Sequence, residues 1–224
     1  MQKIFLGLVA LIMFVSQTAQ ASPSPQWVKD LPAAQNVDQM VVVAGTDKSN
    51  ALISMHEKID GDWEEIMMTA GYIGKNNLGK IREGDKKTPV GTFYFDCAFG
   101  IKPDPGCDFP YTQINENHYW SGDWYHKYNQ MVDVRSAPAN FDKTNSEHLI
   151  NYQPYYYYCL NMGYNADCTP GKGAALFMHC CKPGRPYTGG CVAIPEDKML
   201  FVMQHVKQGC VCVIDSLKNL GGTL

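Results

Sequence analysis

Two residue types capable of covalent chemistry stand near the end of this chain. His179 and, twelve residues on, Cys191 bracket the stretch HCCKPGRPYTGGC, which continues into VAI. A thiol attacks a carbonyl only as thiolate, and an imidazole within hydrogen-bond reach can take its proton. Gly189 and Gly190 precede the cysteine. Without Cβ atoms they let the backbone turn sharply and bare its N–H groups beside the sulfur. Such groups suit the oxyanion of an attacked carbonyl. The pattern sketches a nucleophile at Cys191, a base at His179 and an oxyanion hole at the N–H groups of Gly190 and Cys191. Thr188 can orient the loop, orient a substrate or satisfy a turn. Arg185, Tyr187 and Gly189 are the remaining candidate substrate contacts, the guanidinium being able to grip a carboxylate at two points. The plain alternative makes Cys191 a disulfide partner and His179 a core residue.

Such a pair needs rigid elements beneath it. The apolar run AALFM, ending at Met178, reads as a buried strand that delivers His179. Most of the chain reads as short strands: VVVA from Val41, ISMHEKI from Ile53, WEEIMMTA from Trp63, GTFYF from Gly91 and VCVID from Val211. Asp60-Gly61-Asp62 signals a hairpin between the second and third of these. PEDKMLFVMQHVKQG reads as a helix, with Pro195 and two acidic residues in its first turn and Gly209 as its cap. Met199, Val202, Met203 and Val206 fall on one face of it, which predicts core. If YYYY from Tyr155 is a strand, two rings point inward and two outward, the outer pair free to line a groove. The stretch around Tyr119, Trp120, Trp124 and Tyr125 reads as loop-rich. His56, His118, His126, His148 and His205 have no partner pattern and read as ordinary surface or core residues.

The first 21 residues carry Lys3, an apolar run to Val15 and Ala19-Gln20-Ala21, the form of a secretory signal peptide cleaved after Ala21. Twelve apolar residues fall short of the roughly 20 a bilayer span needs. Residues 22–39, rich in Pro and Gln, read as a loose leader, and 40–224 as one domain with a sizeable core. Removing the first 21 residues, with their single lysine, leaves 18 basic and 22 acidic residues. No basic run points to nucleic acid or an anionic membrane surface. Nine cysteines in an exported chain favour disulfides. A free Cys191 leaves eight to pair: Cys97 with Cys107, Cys159 with Cys168, and Cys180 or Cys181 with Cys210 or Cys212 as one guess. One of Cys180 and Cys181 trapping Cys191 would make a redox-regulated form. Zinc is disfavoured, because no C-x-x-C or H-x-x-x-H spacing occurs.

The His, loop, Thr-x-Gly-Cys-apolar pattern resembles the signature of the L,D-transpeptidase-like (YkuD-type) catalytic domain. REGDKKTPVGTF, from Arg82, is similar to that family's segment around a Thr-Pro-x-Gly-x-Phe core. NMGYN from Asn161, GKGAALFMH from Gly171, WYHKYN from Trp124 and SEHL from Ser146 resemble further family segments in the expected order. The resemblance implies a mainly β, mixed β-sandwich-like domain with a few short helices, working in the periplasm or outside the cell on peptidoglycan stem peptides without metal or organic cofactor. It implies that Cys191 forms a thioester at the bond between an L-centre and D-alanine, resolved by an amine to give a 3→3 cross-link. Two departures bear on the outcome: Gly189 stands where the family commonly has a second histidine, and Ala193 where it has Arg or Asn. A hydrolase on the same scaffold, and a disulfide-stapled wall-binding protein, are the rival readings.

Overall fold

The computed structural model describes residues 21–223, so the expected signal peptide lies, all but its last residue, outside the described part. Strand β1 (Ser22–Pro23) and helix α1 (Gln26–Lys29) lead into the long antiparallel meander β2 (Gln39–Gly45), β3 (Asn50–Ile59) and β4 (Asp62–Tyr72). Short strands follow: β5 (Gly91–Tyr94), β6 (Ala98–Gly100), β7 (Tyr111–Gln113), β8 (His118–Trp120), β9 (Met131–Asp133) and β10 (Glu147–His148). The chain closes with β11 (Cys159–Asn161), β12 (Phe177–Cys180), β13 (Val192–Ile194), helix α2 (Glu196–His205) and β14 (Val211–Ser216). Eleven strands form one curled mixed sheet in the order β5-β14-β2-β3-β4-β13-β12-β11-β6-β7, with β1 added beside β4. Strands β8, β9 and β10 make a second small sheet. The mainly β expectation holds. Among the described residues no helix is long and apolar enough to cross a membrane.

All seven residues of β2 are buried, which requires cover on both faces of the sheet. Val41 and Val43 join the main core with Ile53, Met55, Phe177, Met178 and α2. Met40, Val42 and Ala44 face the other way, onto Val28, Leu31 and Ala34. The segment 22–39 is therefore packed, not loose. Its Pro and Gln content hides three apolar anchors, each worth roughly 1–3 kcal/mol when buried. Ser24 adds a polar staple: its Oγ lies 2.8 Å from His56 Nδ1, while His56 Nε2 lies 2.7 Å from Ser54 Oγ. His56 is thus a satisfied core histidine.

Two local expectations hold and two change. Asp60 (φ +54°) and Gly61 (φ +95°) form the two-residue hairpin turn with Ile59 paired to Asp62. Met199, Val202 and Met203 are fully buried and face the main core. The helix, however, stops at His205, because the Gln39 side chain takes over its end. Its Nε2 donates to the His205 carbonyl and its Oε1 accepts from Lys207 N–H, both at 2.8 Å. Val206 then turns extended into the core, and Gly209 (φ +86°) serves the turn into β14. The tyrosine run is a 3₁₀ turn over Tyr155–Tyr157, not a strand, yet Tyr156 and Tyr158 are buried while Tyr155 and Tyr157 stay partly exposed.

Candidate active site

Strands β12 and β13 run parallel, with Met178 beside Val192 and His179 beside Ala193. One step back, Cys191 comes beside Phe177, whose N–H donates to Cys191 Sγ at 3.4 Å. Alternation along a strand puts residues two apart on one face. His179, Cys191 and Ala193 accordingly meet in one cavity of about 330 Å³, which Arg185, Tyr187, Thr188 and Gly189 also line. Every candidate side chain read from the sequence reaches this place.

The His179 ring is buried, with Nδ1 2.8 Å from the Cys180 carbonyl. A carbonyl only accepts, so Nδ1 carries the hydrogen and Nε2 keeps the lone pair a base needs. Tyr155 and Tyr156 stand edge-on to the ring at 5.9 and 5.6 Å, fixing its tilt. Burial pushes the imidazole down to about 4, against the pull of the Cys180 carbonyl and with help from the Arg185 charge. Burial pushes the Cys191 thiol up to about 12, and the Phe177 N–H only partly offsets it. The resting pair is therefore neutral thiol beside neutral imidazole. The thiol donates to the Ala175 carbonyl at 3.2 Å rather than to His179. A rotation about the Cys191 side chain must precede proton transfer, as is common before substrate arrives.

The turn ahead of the cysteine is held by two threonines, one within it and one from a distant segment. Thr188 Oγ1 donates to the Cys191 carbonyl at 2.6 Å and accepts from Gly190 N–H at 3.0 Å. Thr88, fully buried in the Thr-Pro-Val-Gly segment, donates to the Gly190 carbonyl and accepts from Gly74 N–H, both at 2.8 Å. The Thr188 hydroxyl is thus engaged with its own loop. Gly190 N–H, expected to face an oxyanion, is held by Thr188 in the resting site. Gly190 itself adopts φ +144°, and a Cβ there would lie 2.8 Å from the Lys87 carbonyl. Gly189 has open space where a side chain would project.

Several contributors escape sequence reading. Glu147, opposite Trp120 in the small sheet, enters the same cavity and accepts from Tyr156 Oη at 2.6 Å. Burial raises its carboxyl to about 7, against the lowering effect of that bond. Lys80, which also lines the cavity, forms a buried pair with Asp85 at 2.8 Å. Asp85 also accepts from the N–H groups of Ile81, Arg82 and Lys87, and these bonds outweigh burial to hold its carboxyl far below the usual range. Arg185 stacks over Tyr155 and Tyr187 at 5.7 and 5.5 Å and has no carboxylate partner among the described residues.

A model of the L,D-transpeptidase catalytic domain (YkuD) matches residues 38–214. The chain belongs to this family. YkuD domains act on peptidoglycan and are typically cell-wall associated. Among solved structures, Bd1075 of Bdellovibrio bacteriovorus matches at 13% identity and TM-score 0.44. The helical cell shape determining protein Pgp2 of Campylobacter jejuni matches at 18% and 0.41. Each match covers 80% of this chain and 48% of the other, so this chain spans about half the length of those proteins. No curated protein sequence matches it.

Within this YkuD domain all nine cysteines are unbridged in the structure, and none of the expected pairings appears in it. Cys159 is buried on β11 whereas Cys168 lies in the loop after it, beside Gln130. Strands β12 and β14 have four strands between them in the sheet. Cys97 and Cys107 are both half-buried and unpaired.

Proposed function

We propose that this chain is a secreted cysteine acyltransferase acting on peptidoglycan stem peptides. The observation that carries the reading is the single cavity in which Cys191, the free Nε2 of His179 and the unpaired Arg185 converge. Arg185 takes a carboxylate of the stem peptide. Binding displaces water from the cavity and brings the carbonyl between an L-centre and the terminal D-alanine to Cys191. The thiol swings from Ala175 to His179, Nε2 takes its proton, and sulfur attacks the carbonyl. The oxyanion is met by Cys191 N–H and by Gly190 N–H released from Thr188. Collapse expels D-alanine, whose amine receives the proton from His179. The thioester then passes to the side-chain amine of a second stem peptide, giving a 3→3 cross-link and regenerating the thiol.

One observation favours the hydrolytic variant as a second reading. Gly189 and Ala193 leave the cavity wall bare of the polar side chains common in the family, so water has room to resolve the thioester. A disaccharide-tetrapeptide incubated with the purified protein separates the outcomes by product mass. A dimer lacking one D-alanine marks transpeptidation, and a tripeptide marks a carboxypeptidase. Cys191→Ala should abolish both products and the acyl-enzyme mass; product formation by that variant would overturn the assignment.

A further inference from the structure

A second cavity, about 720 Å³, adjoins the thiol cavity and shares Glu83 with it as a common wall. Its rim carries two rings left out of the core: Trp124, 58% exposed, and Tyr125, 90% exposed. An exposed indole normally swings freely, but this one is pinned. Trp124 Nε1 donates to Glu83 Oε2 at 3.3 Å, and the far edge of its ring packs against Gly171, where a Cβ would come to 3.7 Å. Glu83 is itself tied to Gly171 by its N–H at 2.8 Å.

The loop beneath is equally fixed. Asp123, 3% exposed, accepts from the N–H groups of Tyr125, His126 and Asp142 and from His126 Nδ1. These bonds outweigh burial and hold its carboxyl down to about 2. The lining still offers groups without a protein partner among the described residues: His126 Nε2, whose Nδ1 alone is engaged, and the amide of the exposed Asn140. A rigid, exposed aromatic face beside unengaged donors and acceptors suits a ligand with one apolar face and a polar edge. A pyranose ring has that form.

We propose that this cavity is a saccharide subsite, which takes the N-acetylhexosamine to which the stem peptide is joined, with Trp124 and Tyr125 packing on the sugar face. The proposal rests on the peptide reading of the thiol cavity and extends it. Three extended residues separate the attacked carbonyl from the sugar, a span of about 10 Å, which asks for a neighbouring cavity rather than a remote one.

The test compares disaccharide-tetrapeptide with free tetrapeptide as substrates of the purified protein. The sugar should raise kcat/KM about tenfold, the scale of two ring contacts. Trp124→Ala should erase that advantage while leaving the free peptide's kcat/KM unchanged, and Trp124→Phe should restore part of it. An equal kcat/KM for both substrates, or an advantage kept in Trp124→Ala, overturns the subsite. Calorimetry of the Cys191→Ala variant with the disaccharide alone separates the two proposals. Trp124-dependent binding upholds the sugar site even where neither peptide is turned over, whereas failure to bind in that case overturns both.

Discussion

Gly189 and Gly190 are adjacent yet answer to opposite constraints. A methyl at Gly190 would strike the Lys87 carbonyl and require an L-residue at φ +144°, a strain of about 1–3 kcal/mol. Gly189→Ala enters open space. Gly190→Ala should therefore lower both the urea midpoint and kcat/KM by tenfold or more in the latter (about 1.4 kcal/mol per tenfold), while Gly189→Ala keeps the midpoint. Equal effects of the two would sink this account of the turn. At this scale the sequence is partly legible. Cys191, His179 and Thr188 sit in one local pattern, so spacing finds them. Thr88 and Glu147 lie 103 and 44 residues from the thiol; their segments TPVGTF and SEHL are legible as family-like stretches, but that both converge on the turn and cavity of Cys191 comes from the fold, which no local spacing encodes.

Strand β3 carries His56 under the segment 22–39, and that contact gives the element a pH signature. The ring titrates at about 4 in the fold because burial disfavours its charge, against 6.5 in the free residue. The unfolded chain thus takes up the proton first as pH falls. The stabilisation is complete above about 6.5 and is lost progressively down to about 4, roughly 3 kcal/mol in all. His179 acts in the same direction, whereas Glu147, raised to about 7, acts in the opposite one between its unfolded value of 4.5 and 7. Comparison with His56→Gln isolates the first contribution. The urea midpoint of the wild type should fall more than the variant's between about pH 7 and 4.5; equal falls would remove His56 as the cause. The strands here are legible from their apolar runs. The packing of 22–39 is signalled only indirectly, by a β2 run with no polar alternation that needs cover on both faces.

Across the whole molecule, the mainly β character follows from the short strands, but the strand order does not. The order joins β14 to β2 and β13 to β4, pairing segments more than a hundred residues apart, and only the completed core selects such pairings. In the proposed reaction, that core also decides the fate of the Cys191 thiol between turnovers. Peroxide and alkylating agents consume thiolates, and a thiol pushed to about 12 is almost wholly protonated near neutral pH. Iodoacetamide should label Cys191 on the order of a hundredfold more slowly than the half-exposed Cys168, followed by peptide mass mapping. Labelling at equal rates would contradict the sheltered site. Under the proposed reaction the thiol is kept in an inert form, so in the oxidising compartment that this reading implies its working lifetime is set by how often substrate opens that shelter rather than by ambient oxidant.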